Sequence, residues 1–93
     1  MSTTWDLTLH LSDAARGEPG DVLTSARAVL KTPSGVTLEG YGNAVRNPRD
    51  TPSRQIGEEI STARALRDLS DRLLQVSSQD ISDVKHQQVR LDH

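Results

Sequence analysis

Gly40-Tyr41-Gly42-Asn43-Ala44-Val45-Arg46-Asn47-Pro48 marks a change of period in the chain. Before it, apolar residues recur at every second position; from Ile56 onward they recur at every third or fourth. A period of two is that of a strand with one face buried, and a period near 3.6 is that of a helix with an apolar stripe. The join therefore separates a strand half from a helical half, and the fold class expected is α+β.

Working back from the join, Val22–Lys31 and residues 36–46 flank Thr32-Pro33-Ser34-Gly35, where Pro33 presets the first corner of a turn and Gly35 closes it. The two segments read as an antiparallel hairpin. Its side chains keep to one face only if Leu30 stands opposite Val36 or Leu38, because a slip of one residue would set apolar residues against Thr37 and Glu39. In either register Ala26 and Ala28 lie beside Leu38, Gly40, Gly42 and Ala44, so the inner face of the hairpin is flat. Further back, Trp5, Leu7, Leu9 and Leu11 alternate with Asp6, Thr8, His10 and Ser12, the pattern of a strand with one face buried and one wet. Residues 14–20, with Gly17, Pro19 and Gly20 among charges, read as a mobile loop, and residues 1–4 and 87–93 as flexible ends.

Working forward, Asn47-Pro48-Arg49-Asp50-Thr51-Pro52 ends the sheet and leads into a helix from about Ser53, with Pro52 tolerated in the first turn. Ile56, Ile60, Ala63, Leu66, Leu69, Leu73, Leu74 and Val76 form its apolar stripe. Within the stripe, Ile56, Ala63, Ser70 and Ser77 fall at intervals of seven, and three of the four are small. This seam is read as lying on the flat face of the hairpin, in preference to a helix-helix contact between subunits. Arg64, Asp68 and Arg72 follow at intervals of four, with Arg67 four before Asp71, and read as a solvated ladder on the opposite face. Ser77-Ser78-Gln79-Asp80 has the spacing of a capping box, so a helix stop and a short second helix carrying Ile81 and Val84 are expected. The tail from His86 docks across the sheet, docks on a partner, or frays.

The chain's 93 residues make one domain, with Trp5 and Tyr41 its only aromatics and no Phe. Few side chains bury a large area each, so the core is lean and gains by covering surface with a second copy; a small monomer with a plain aliphatic core is the alternative. Absence of cysteine excludes a disulfide framework, Cys-ligated zinc and a thiol nucleophile. The N-terminus lacks the basic and apolar regions of a signal peptide, and no apolar run approaches the ~20 residues of a membrane span, so a cytoplasmic protein is expected. Formal charge is −2, with no global basic excess to neutralise phosphates. The one stretch with a basic lean is 27–50, which carries Arg27, Lys31, Arg46 and Arg49.

No catalytic, metal or cofactor site is expected. His10, His86 and His93 form no helical ligand pair, and His10 falls on the polar side of its strand. Glu58 and Glu59 near the helix start read as partners of the helix dipole rather than as acids. Gly40-x-Gly42 lacks the third glycine and the strand-to-helix turn that present amides to phosphate, and Trp5 and Tyr41 stand on separate strands rather than as a base-stacking pair. Neither an enzyme nor a small-molecule substrate is expected.

The join, continued through Ile56-Gly57-Glu58-Glu59-Ile60-Ser61-Thr62-Ala63-Arg64-Ala65-Leu66, Asp68-Leu69, Asp80-Ile81 and His86-Gln87, resembles a small actinobacterial family of unknown function whose mycobacterial members belong to the hypoxia and dormancy response. The resemblance runs from about Ser25 to Gln88. It implies a three-stranded antiparallel sheet followed by one long and one short helix, paired into an intertwined homodimer, in a fold similar to double-stranded-RNA-binding-like (dsRBD-like) domains and to ribosome hibernation-promoting factors. The role it implies is translational silencing on the ribosome or on structured RNA under stress, although fold does not fix function. Were RNA bound, the contacts expected are Arg27, Arg46, Arg49, Arg54, Lys85 and Arg90. The alternative is a protein-protein interaction or regulatory module that never touches RNA.

Overall fold

The computed structural model describes residues 1–15, 20–47 and 54–91, with side chains as far as Lys85. Three strands, β1 (Asp6–Ala15), β2 (Val22–Lys31) and β3 (Thr37–Arg46), form an antiparallel sheet in the order β1-β2-β3, and α1 (Arg54–Leu91) lies across one face. The hairpin takes the second of the two even registers, Leu30 opposite Leu38. Its turn closes as the sequence requires: Gly35, at φ 91°, donates its N–H to the Thr32 carbonyl at 3.0 Å, and Thr32 Oγ1 accepts from the Val36 N–H at 3.2 Å. The described part of β1 runs on through Ala15, two residues into the segment expected as a loop; residues 16–19 of that loop lie outside the described residues.

The flat face is where the helix sits. Thr24, Ala26, Ala28 and Leu30 of β2, with Gly40, Gly42 and Ala44 of β3, are buried beneath α1. Ala28 opposes Gly40 and Ala26 opposes Gly42, so the sheet offers the helix almost no side chain at its centre. A Cβ added to Gly40 would lie 2.7 Å from Leu69 Cβ, and one added to Gly42 would lie 2.7 Å from Arg64 Cβ. Backbone meets backbone there, and glycine is required for closeness rather than for conformation. The core is Ala26, Ala28 and Leu30 against Ala65 and Leu69, with Leu38, Leu66 and Leu73 at its margin.

Three expectations about the helix are corrected. The seam against the sheet is Gly57, Ser61, Ala65 and Leu69, at intervals of four, whereas Ile56, Ala63, Ser70 and Ser77 are all exposed. A stripe counted from apolar letters misses Gly57 and Ser61, which are buried because they are small enough for close approach. The second correction is that a single continuous helix replaces one long and one short helix. Ser77 does not cap a new helix. Its hydroxyl donates to the Leu73 carbonyl at 3.0 Å, one turn back, as Ser70 does to Leu66 at 2.9 Å, which leaves the helix ladder intact. Glu58 also stands a turn inside the helix, paired with Arg54 at 3.2 Å rather than with the dipole.

A helix of 38 residues is ~57 Å long, while a ten-residue strand spans ~33 Å, so α1 outruns the sheet. The molecule is accordingly elongated, 67 Å in its longest dimension. The overhanging half exposes Leu74, Ile81 and Val84.

Candidate functional site

The two edges of the sheet are finished differently. On β3, Tyr41 and Asn43 turn their backbone groups outward, away from β2. The Tyr41 N–H donates to Asp68 Oδ2 at 2.8 Å, and the Asn43 carbonyl accepts from Arg64 Nη1 at 2.7 Å. Arg72 Nε donates to the same Asp68 oxygen at 3.2 Å, and its guanidinium lies 5.9 Å from the centre of the Tyr41 ring. The Asp68 carboxyl is held below its ordinary pKa, first by the Tyr41 amide and then by Arg72. Tyr41 in turn donates its hydroxyl to Glu39 Oε2 at 2.5 Å, which raises the phenol pKa because ionisation would put two anions in contact. The arginine-aspartate ladder expected to be solvated is thus a clasp on the edge strand, and it occupies two of the backbone groups by which another strand would pair there.

The opposite edge has no such cover among the described residues. The register sets Leu7 opposite Leu30, Leu9 opposite Ala28 and Leu11 opposite Ala26, so the apolar side chains of β1 share the helix-facing side of the sheet. The helix, however, lies over β3 and β2 and barely touches β1. Trp5, Leu7, Leu9 and Leu11 are left between 38% and 48% exposed, in a row along a strand beyond which no further strand lies among the described residues. The flank of the helix nearest this row adds Ala63 and Leu66 beside Leu11 at one end, and Leu73 and Val76 near Trp5 at the other. Exposed apolar side chains beside an unpaired strand edge are, in general, where further contacts form.

The row ends in a carboxylate. Asp13 has the parity of the apolar residues and stands opposite Thr24, which is fully buried and donates to Asp13 Oδ1 at 2.7 Å. Arg46 Nη2 and Arg54 Nε approach Asp13 Oδ2 at 3.7 and 3.5 Å. This cluster ties the start of the helix to both outer strands.

The structure brings Arg46 and Arg54 together around Asp13 and leaves the other expected RNA contacts apart. Arg27 lies on the far face of the sheet, bonded to Glu39 at 3.1 Å, and Lys85 is exposed on the overhang. Arg49 lies outside the described residues, as does the side chain of Arg90. Each of Arg27, Arg46 and Arg54 already faces a carboxylate. His10 is exposed on the far face, opposite Arg27, as its parity implied. No group of three or more potential metal ligands occurs among the described residues, and no helix there is long and apolar enough to cross a membrane.

Residues 3–90 match the model of one protein family. The chain belongs to the Rv2632c-like family. Among its relatives, an uncharacterized protein of Mycobacterium bovis, Mb1767, is 48% identical over 69 residues, covering 74% of this chain and 72% of the relative. The uncharacterized protein Rv2632c of Mycobacterium tuberculosis is 42% identical over 72 residues, 77% of this chain and 76% of the relative. The matched segment of this Rv2632c-like chain takes in the join, the hairpin and the helix, so the glycines under the helix and the clasp on β3 lie within what the family model describes.

Proposed function

We propose that this protein is a non-enzymatic, cytoplasmic interaction module that works as a homodimer assembled through β1. The observation that carries this reading is the apolar row Trp5, Leu7, Leu9 and Leu11, half exposed on an open strand while the other edge is clasped. A lean core gives the same pressure independently, because apolar surface left uncovered in one copy is the surface a second copy can bury. The stress and dormancy setting, the dsRBD-like fold relationship and the likeness to hibernation factors belong to this proposal on the strength of the family resemblance. Binding to the ribosome or to structured RNA does not, because Arg27, Arg46 and Arg54 are each engaged with a carboxylate and do not form one basic face. Two measurements test the proposal. Light scattering at micromolar concentration should give the mass of a dimer, and a monomer would defeat the assembly. Co-sedimentation with ribosomes across a salt series should find the protein outside ribosomal fractions even at low salt; salt-sensitive retention would reinstate the RNA reading.

A further inference from the structure

We infer that the two copies join β1 to β1 antiparallel with the two-fold axis through Thr8, so that Asp6 of each copy lies opposite His10 of the other. The inference rests on the proposed homodimer and specifies its register. In a symmetric antiparallel pair, an axis through a residue keeps each side chain on the same face as its opposite number, whereas an axis between residues mixes the faces. Only axes through a residue therefore keep the apolar row continuous across the interface.

Among these, the position of Asp13 discriminates. Its carboxylate is committed to Thr24, Arg46 and Arg54 within its own chain. An axis through Leu9 sets Trp5 of the partner against Asp13, an axis through His10 sets Leu7 against it, and an axis through Leu11 sets Leu9 against it. An axis through Leu7 leaves Leu11 facing Thr3. With the axis through Thr8, Trp5 faces Leu11 and Leu7 faces Leu9, twice over, and every large apolar residue of the row meets another. The polar face is satisfied by the same choice. Thr8 meets Thr8, a favourable cross-strand pair, and Asp6 meets His10. Within each chain Asp6 stands opposite Lys31 and His10 opposite Arg27, so the interface extends a row in which Arg27, His10 and the partner's Asp6 follow one another across the strands. An axis through His10 would instead set two histidines together between two Arg27 guanidinium groups. Because the axis is perpendicular to the sheet, both helices fall on the same side of a six-stranded sheet, flanking the joined apolar rows.

The chain contains no cysteine, so single cysteines report the register without background. In variants Asp6→Cys, Thr8→Cys, His10→Cys and Ser12→Cys, only the position on the axis meets its own copy. Mild oxidation, or a short bis-maleimide, should link Thr8→Cys at least ten times faster than the other three. Mixing Asp6→Cys chains with His10→Cys chains should yield a linked heterodimer that neither forms alone. A dimeric mass with fastest linkage at Asp6→Cys, His10→Cys or Ser12→Cys, or with no preference among the four, would overturn the register and leave the homodimer standing. A monomeric mass would overturn both.

Discussion

The two edges of this sheet are built from similar backbone and treated in opposite ways. At β3, Asp68 and Arg64 occupy the Tyr41 N–H and the Asn43 carbonyl, and the helix covers the face behind them. At β1, the face stays half exposed and no clasp holds the edge among the described residues. Edge strands that present unpaired backbone beside apolar side chains recruit other strands, and proteins generally blunt them with charge or cover them. Among the described residues one edge is blunted and the other is not, and the proposed homodimer uses that asymmetry.

The comparison is broken most severely by removing what allows the helix to cover β3. Gly42→Val should destabilise the fold by ~3 kcal/mol or more in denaturant titrations, because the new side chain collides with backbone and with Arg64 Cβ that have no room to shift. The face over β3 would then be as open as that over β1. Acting on the other edge, Leu9→Lys should weaken the dimer about 100-fold, or ~2.7 kcal/mol, while circular dichroism and the unfolding midpoint at dilution stay close to those of the parent.

The difference between the edges is sharpened by removing the clasp alone. Asp68→Asn should raise hydrogen exchange at the Tyr41 amide and lower the melting temperature at neutral pH by a few degrees. The pH dependence follows from the sign of the shift. A carboxyl whose folded pKa is depressed stabilises the fold in full above its unfolded value of about 4 and loses that contribution as pH falls through the folded value. The gap in melting temperature between the parent and Asp68→Asn should therefore close in acid; a gap unchanged down to pH 2 would mean that the Asp68 charge is not what holds the edge. The smallest effect is expected on the far face. Arg27→Ala breaks an exposed pair with Glu39 and should cost no more than ~0.5 kcal/mol in thermal unfolding.

Much of this architecture was legible in the letters. The period change located the strand and helical halves, Pro33 and Gly35 located the turn, and parity restricted the hairpin to two registers, of which Leu30 opposite Leu38 is realised. Other features were legible only in part. Asp13 shares the parity of Leu7, Leu9 and Leu11, but its partners Thr24, Arg46 and Arg54 come from three separate segments. The spacing of Arg64, Asp68 and Arg72 placed them on one line of the helix without revealing that the line runs along β3. Their partners there are backbone groups of Tyr41 and Asn43, and backbone groups leave no mark in a sequence. Ser77 illustrates a local ambiguity, since the same hydroxyl can cap a new helix or bond one turn back in an old one, and here it does the latter.

By itself, the sequence determined the class of fold, the antiparallel hairpin, the flat Ala/Gly face and the absence of cysteine chemistry, because each follows from local periodicity or composition. Only the tertiary structure decided which line of the helix touches the sheet, that the helix continues past Ser77, and which edge is clasped. The reason is one of distance. Gly40 and Gly42 allow backbones to approach, so the contact line is set by where the helix can come closest, at Gly57, Ser61, Ala65 and Leu69, and not by where its largest apolar side chains lie. That line puts Arg64 and Asp68 over the rim of β3 and leaves the row on β1 uncovered.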